Sequence, residues 1–229
     1  MHSFLLVGQS NAAGRGLISE AEPLNNDKIY VLRNGRWRPM FRPINPDRSF
    51  SGVSLAENFS RLFADKHGVE VGIIPCAEGN TSISEWQKGE VLFDNAIFNA
   101  KLAMRTSTLK GILWHQGEAD CGENNYPCYL QRLEKVMSDF RKELGANLPI
   151  IVGGLGEFLK DCPSSQNLKN YHFINDALIN FVNKTPFSAY ASSKGLTSNS
   201  DVLHFNTNSV NELGKRYFEA YESLIKNNN

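Results

Sequence analysis

Ser10 near the start of the chain and Asp201 and His204 near its end have the types that acyl transfer needs. A serine hydroxyl is a weak nucleophile at neutral pH and needs a base within hydrogen-bond reach. An imidazole titrates near neutrality, and a carboxylate beside it fixes its tautomer and stabilises the imidazolium. Asp201 and His204, three residues apart, can supply both from one loop. Donors aimed at a developing oxyanion are the other requirement. The Ser10 and Gly79 backbone N–H groups and the Gln116 side-chain amide are the candidates, with Gln9, Asn80 and Glu118 as supporting residues. Each has a plainer reading: Ser10 as a helix cap, Asp-x-x-His as a surface pair, Gly79 as a turn, Gln116 as a tie between loops. His115 is the rival base, although it adjoins a strand end. Glu118 can orient His204, buttress its loop or touch substrate.

Positioning these residues requires a scaffold that gathers loops, and the hydrophobic pattern supplies one. Phe4 to Val7 is apolar without alternation, as in a strand buried on both faces, and Gly8 ends it just before Gln9-Ser10-Asn11. Strands are also expected at Val69–Pro75, Gly111–Trp114, Pro149–Val152 and Phe187–Ala191. Helices are expected at Val53–His67, Val91–Met104, Tyr126–Leu144, Asn167–Asn183 and Thr207–Ile225. Such alternation predicts a parallel sheet covered by helices on both faces, a three-layer α/β/α sandwich. Right-handed crossovers then bring all strand C-termini to one edge, where Ser10, Gly79, Gln116 and the Asp201–His204 loop would meet. One domain over 1–229 is expected, with a proline-bearing, loop-rich insertion at about 17–50. That insertion holds a small Tyr30–Leu32 strand and a hairpin-type Asn34-Gly35 turn. Trp37, Phe41 and Phe50 within it either line a ligand groove or pack the loop down.

Composition narrows the functional classes. Twenty-four basic and 24 acidic residues balance, so no field draws in nucleic acid or an anionic membrane surface. At 41% hydrophobic residues the chain is globular, and no apolar run reaches membrane-spanning length. The cysteines Cys76, Cys121, Cys128 and Cys162 form neither a Cys-x-x-Cys pair nor a zinc-type cluster, so neither metal nor cofactor is expected. Cys121 and Cys128 could bridge in an exported protein. The absence of a leader in this sequence points to a cytoplasmic protein, a mature secreted form being the alternative. The oligomeric state is not legible.

Four segments, taken together, resemble the SGNH hydrolase superfamily and its carbohydrate esterase branch of acetylxylan esterases and sialate O-acetylesterases. They are Gly8-Gln9-Ser10-Asn11, Gly79 through Trp86, Trp114 through Asp120, and Asp201 through Asn206, in the family's order. The resemblance implies a flavodoxin-like, five-stranded parallel sheet and a metal-free esterase that removes acetyl groups from sugars. It also implies Ser10 as nucleophile, His204 as base and Asp201 as its partner, with Gly79 and Gln116 on the oxyanion positions and Glu118 implicated in activity. Asn80 departs from the branch, which carries a second glycine there, and a side chain at that point could narrow the acyl pocket. Three rivals stay open: an inactive sugar-binding module, a nucleotide-binding flavodoxin-like protein, and an esterase or thioesterase for non-sugar acyl groups. Gly8 to Gly16 lacks the P-loop ending and the dinucleotide spacing.

Overall fold

The computed structural model describes residues 1–24 and 27–227. Its centre is the first strand, β1 (His2–Gly8), which pairs in parallel with β4 (Val71–Pro75) on one side and β5 (Thr108–His115) on the other. Beyond β5 lie β6 (Ile150–Gly153) and β7 (Ser188–Ala191), again parallel. Alternate residues of these strands face opposite helical layers, as the two-residue repeat of a strand dictates. Phe4, Leu6, Ile73, Leu113 and Ile151 enter one core; Leu5, Val7, Ile74, Ile112, Trp114 and Ile150 enter the other.

Among the described residues the sheet has seven strands, where the pattern of the chain predicts five. The additional pair comes from the stretch read as a loop-rich insertion. There β2 (Ile29–Arg33) lies parallel to β4, and β3 (Arg36–Pro39) folds back antiparallel to β2 across Asn34-Gly35. Ile29 and Val31 are buried, which anchors β2, whereas β3 is an exposed four-residue edge. Short, charged and ending in proline, β3 resists further strand pairing.

The helices α2 (Leu55–His67) and α6 (Thr207–Asn227) cover one face of the sheet. The other carries α3 (Val91–Ala103), α4 (Tyr126–Leu144) and α5 (Tyr171–Lys184). Helix α2 starts two residues later than its apolar pattern suggests, because Ser54 and Glu57 form a reciprocal capping box. The expected helix starts at Asn167, but Gln166–Asn170 form a 3-10 turn and α5 begins only at Tyr171. All four cysteines are free, so Cys121 and Cys128 are not bridged; burial pushes the Cys76 thiol up to about 12.

Two interior features set the stability of this frame. Gly214 lets α6 lie against the start of α2, since a Cβ there would stand 2.2 Å from the Leu55 carbonyl oxygen. His115, the rival base, is fully buried, packed edge-on to Phe205 and bonded through Nδ1 to the Tyr217 hydroxyl at 3.1 Å. Tyr217 donates its own proton to the Trp114 carbonyl at 2.6 Å, so the Nδ1–H of His115 is the donor in the bond between the two side chains. Burial lowers the His115 pKa from 6.5 to about 3, and the ring stays neutral inside the layer.

Gly214→Ala should therefore lower the urea unfolding midpoint, costing about 1–3 kcal/mol by overpacking despite the better helix propensity of alanine. A raised midpoint would contradict the close helix contact. The unfolded chain takes up a proton at His115 near pH 6.5 while the folded chain does not, so stability falls as pH drops from there toward 3. His115→Gln should remove about 2 kcal/mol of the loss measured between about pH 6.5 and pH 5. An unchanged slope would contradict the neutral buried ring.

Candidate active site

The site begins where β1 stops. Gly8 adopts φ +129°, and a Cβ there would lie 2.1 Å from the His115 carbonyl oxygen, so only glycine lets the ends of β1 and β5 run this close. The Gln9 N–H bonds that same carbonyl at 2.9 Å, and the chain turns at once into α1 (Ser10–Ala13), a single helical turn. Ser10 thus stands at the C-terminal edge of the central strand, buried but lining a cavity of about 390 Å³.

His204 reaches the same point from the loop before α6. Its Nε2 lies 3.0 Å from Ser10 Oγ, and its Nδ1 lies 2.7 Å from Asp201 Oδ2. With Nδ1–H donating to the carboxylate, Nε2 is left to accept the serine proton. The turn between them is built by Asp201, whose Oδ1 accepts the Leu203 and His204 N–H groups at 2.9 and 3.0 Å. Val202 takes φ +54° to close it, a costly conformation for a β-branched residue. Partial burial pushes the Asp201 pKa up, but the His204 and Leu203 N–H groups and the imidazole outweigh it. The net shift is downward, and the carboxylate stays charged beside the ring.

Asn11, next to Ser10, is a residue to which the sequence assigns no role of its own. Its amide donates to Glu118 Oε1 at 2.6 Å and to the Leu203 carbonyl at 3.3 Å, and its Oδ1 accepts the Phe205 N–H at 3.1 Å. One buried side chain therefore clamps the histidine loop to the serine turn. The available signal was its position: an amide one residue after the nucleophile can serve as donor and acceptor together. Glu118 meets the Asn11 side chain and not His204, and it also lines the cavity. Burial pushes its pKa up, against the opposing pull of the Asn11 bond.

The expected oxyanion donors are arranged differently from the sequence reading. Gln116 is fully buried, and its Nε2 donates to Asp120 Oδ2 at 2.6 Å, Thr81 O at 2.9 Å and Gln9 Oε1 at 3.3 Å. With both its hydrogens claimed inside the wall, Gln116 presents no donor to the cavity. The Gly79 N–H bonds Asp47 Oδ2 at 2.9 Å. Asp47 is held in turn by a two-point ion pair with Arg15, at 3.0 and 2.7 Å. Burial pushes Asp47 up, yet Arg15, Ser51 and Gly79 together bring it below the usual carboxylate range.

Gln9, unlike Gln116, lines the cavity. Its Oε1 accepts from the Gly117 and Ala119 N–H groups at 3.2 and 3.3 Å, which fixes the orientation of the amide. That leaves Nε2, on a side chain lining the cavity, without an acceptor among the described residues. Asn80 lines the cavity too, at φ +62°. The second glycine of the resemblance thus falls on a left-handed position, and asparagine is among the few other residues that occupy one readily. Of the three aromatic candidates only Phe50 borders the cavity. Trp37 packs over Gly72 and bonds Thr106, while Phe41 lies under Arg33.

Comparison with known proteins agrees with this architecture. Residues 1–223 match the model of the family described as carbohydrate esterase, sialic acid-specific acetylesterase. A probable carbohydrate esterase of Arabidopsis thaliana, At4g34215, is 26% identical, over 96% of this chain and 90% of its own length. Its X-ray structure superposes with a TM-score of 0.86 at 25% identity, covering 97% of this chain and 98% of that one. XAC1771, a carbohydrate acetylesterase from Xanthomonas citri, shares the fold at a TM-score of 0.73 and 16% identity, over 98% of this chain and 57% of its own. The chain belongs to the sialic acid-specific acetylesterase family of carbohydrate esterases, within the SGNH hydrolases, and is a carboxylic ester hydrolase.

Proposed function

We propose that the protein removes O-acetyl groups from sugars through an acetyl-serine intermediate. The observation that carries this reading is the unbroken chain of contacts from Ser10 Oγ through the His204 ring to Asp201, 3.0 and 2.7 Å long, opening on a cavity. His204 Nε2 takes the Ser10 proton as Oγ attacks the acetyl carbonyl, while Asp201 holds the resulting imidazolium. The Ser10 N–H and the Gln9 amide face the charge that develops on the carbonyl oxygen. As the tetrahedral species collapses, the sugar hydroxyl leaves with the proton from His204. Water, deprotonated by the same ring, then releases acetate and restores Ser10.

Acetylated sugars as the substrate class follow from the family's description and from the carbohydrate acetylesterase among the structural neighbours, and from a site lined by amide, hydroxyl and charged groups. Acetate release from acetylated xylo-oligosaccharides, acetylated monosaccharides and O-acetylated sialic acids, compared with short- and long-chain aryl esters, tests it. Preference for a long acyl chain with no sugar turnover would overturn it.

Ser10→Ala should lower kcat on 4-nitrophenyl acetate by about 10³-fold or more with the unfolding curve preserved; near-normal turnover would exclude Ser10 as nucleophile. Gln9→Glu keeps the acceptor for Gly117 and Ala119 but replaces the cavity-facing donor by a carboxylate oxygen. It should lower kcat by about 10²-fold or more, the size of one lost oxyanion donor. Activity close to wild type would remove Gln9 from the oxyanion hole.

A further inference from the structure

Phe50 is 68% exposed and belongs to neither core cluster, yet it stands beside the catalytic histidine. Leaving a phenyl ring in water forgoes the stabilisation that burying it would bring. Nor is its position that of a loose loop tip. Ser51 Oγ accepts the Arg48 N–H at 2.9 Å and donates to Asp47 Oδ1 at 2.6 Å, and the Ser51 N–H returns to the Arg48 carbonyl at 3.1 Å. Asp47 anchors this turn to Arg15 and Gly79, and Arg48 adds bonds to Glu78 and to the Gly79 carbonyl, the latter at 3.0 Å. The turn thus holds Phe50 out from the protein at a fixed place. The Arg15 guanidinium lies 5.3 Å from the ring centroid.

Two depressions meet at this ring. One is the cavity containing Ser10; the other lies across His204 and is walled by Glu20, Asn199, Ser200, Asn206 and Asn208. Arg15, Phe50 and His204 border both. A pyranose ring presents C–H groups on its faces and hydroxyls at its rim. The flat apolar face of a fixed aromatic ring suits the first, and the Asn208 amide, the Ser200 hydroxyl and the Asn199 carbonyl oxygen suit the second, the amide hydrogens of Asn199 and Asn206 being bonded within the protein.

We infer that Phe50 is a sugar-stacking platform at the junction of a two-part cleft, and that the substrate is an acetylated oligosaccharide whose chain continues past the acetylated ring onto the asparagine-rich shelf. The inference rests on the esterase reading of Ser10 and adds the length of the leaving alcohol. Phe50 acts on binding of the sugar and not on the acyl chemistry.

The test compares wild type, Phe50→Ala and Phe50→Trp on three esters sharing one acyl group: 4-nitrophenyl acetate, mono-acetylated xylose and mono-acetylated xylotriose. Wild type should prefer the trisaccharide to the monosaccharide in kcat/KM. Phe50→Ala should lower the ratio of trisaccharide to aryl-ester kcat/KM by about tenfold, through KM, the size of one lost stacking contact. Phe50→Trp, which keeps a flat ring, should restore most of it. A proportional fall on all three esters, no change in the ratio, or equal wild-type efficiency on mono- and trisaccharide would each overturn the platform. Cleavage of the aryl acetate with neither sugar turned over would instead sink the sugar reading, and the platform with it.

Discussion

Bringing a histidine to within 3.0 Å of a serine 194 residues earlier is the constraint on which the rest of this structure depends. Neither the Ser10 turn nor the Asp201–His204 loop has regular structure long enough to fix itself. The connection is made by Asn11, whose single buried amide spends its acceptor on Phe205 and its donors on Leu203 and Glu118. Phe205 then enters the core against Phe158 and His115, so the base is fastened on its C-terminal side by packing and on its N-terminal side by the Asp201 turn.

Behind this contact lies a buried polar wall. Gln116, Glu118 and Asp120 are all buried at the end of β5. Burial without partners is costly, and each finds at least one: Gln116 ties Asp120 to Thr81, Asp120 accepts the Ile83 N–H at 2.8 Å, and Glu118 takes the Asn11 amide, while Gln116 Oε1, Glu118 Oε2 and Asp120 Oδ1 have no partner among the described residues. The network fixes the loop carrying Gly79 and Asn80 relative to the one carrying Glu118. Such preorganisation matters for acyl transfer, where donors must be in place before charge develops.

Much of this was legible in the chain. The unbroken apolar runs at β1, β4, β5 and β6 and the glycine after β1 announced a buried parallel sheet, and the order of the polar loops announced one edge where they meet. The Tyr30–Leu32 strand and the Asn34-Gly35 turn are legible too, but four prolines between Pro23 and Pro46 make the stretch look like an insertion, and nothing in the chain shows that β2 pairs with β4 as well as with β3. Within the site, residue types located the serine, histidine and aspartate. They could not tell which of two glutamines faces the cavity: Gln9 and Gln116 carry the same amide, and only the buried acceptors Thr81 O and Asp120 Oδ2 distinguish them. The role of Asn11 was hidden likewise, because its partners come from loops more than a hundred residues away.

The central proposal is covalent: that Ser10 carries the acetyl group between the sugar and water. Rapid acid quenching of the enzyme during turnover of an aryl acetate, followed by peptide mass mapping, tests it directly. The account predicts an acetyl group on the peptide that contains Ser10, at an amount approaching one per active site when deacetylation limits the rate. An acetyl group found reproducibly on another residue, or turnover through a general-base attack of water that leaves Ser10 unmodified throughout, would contradict it.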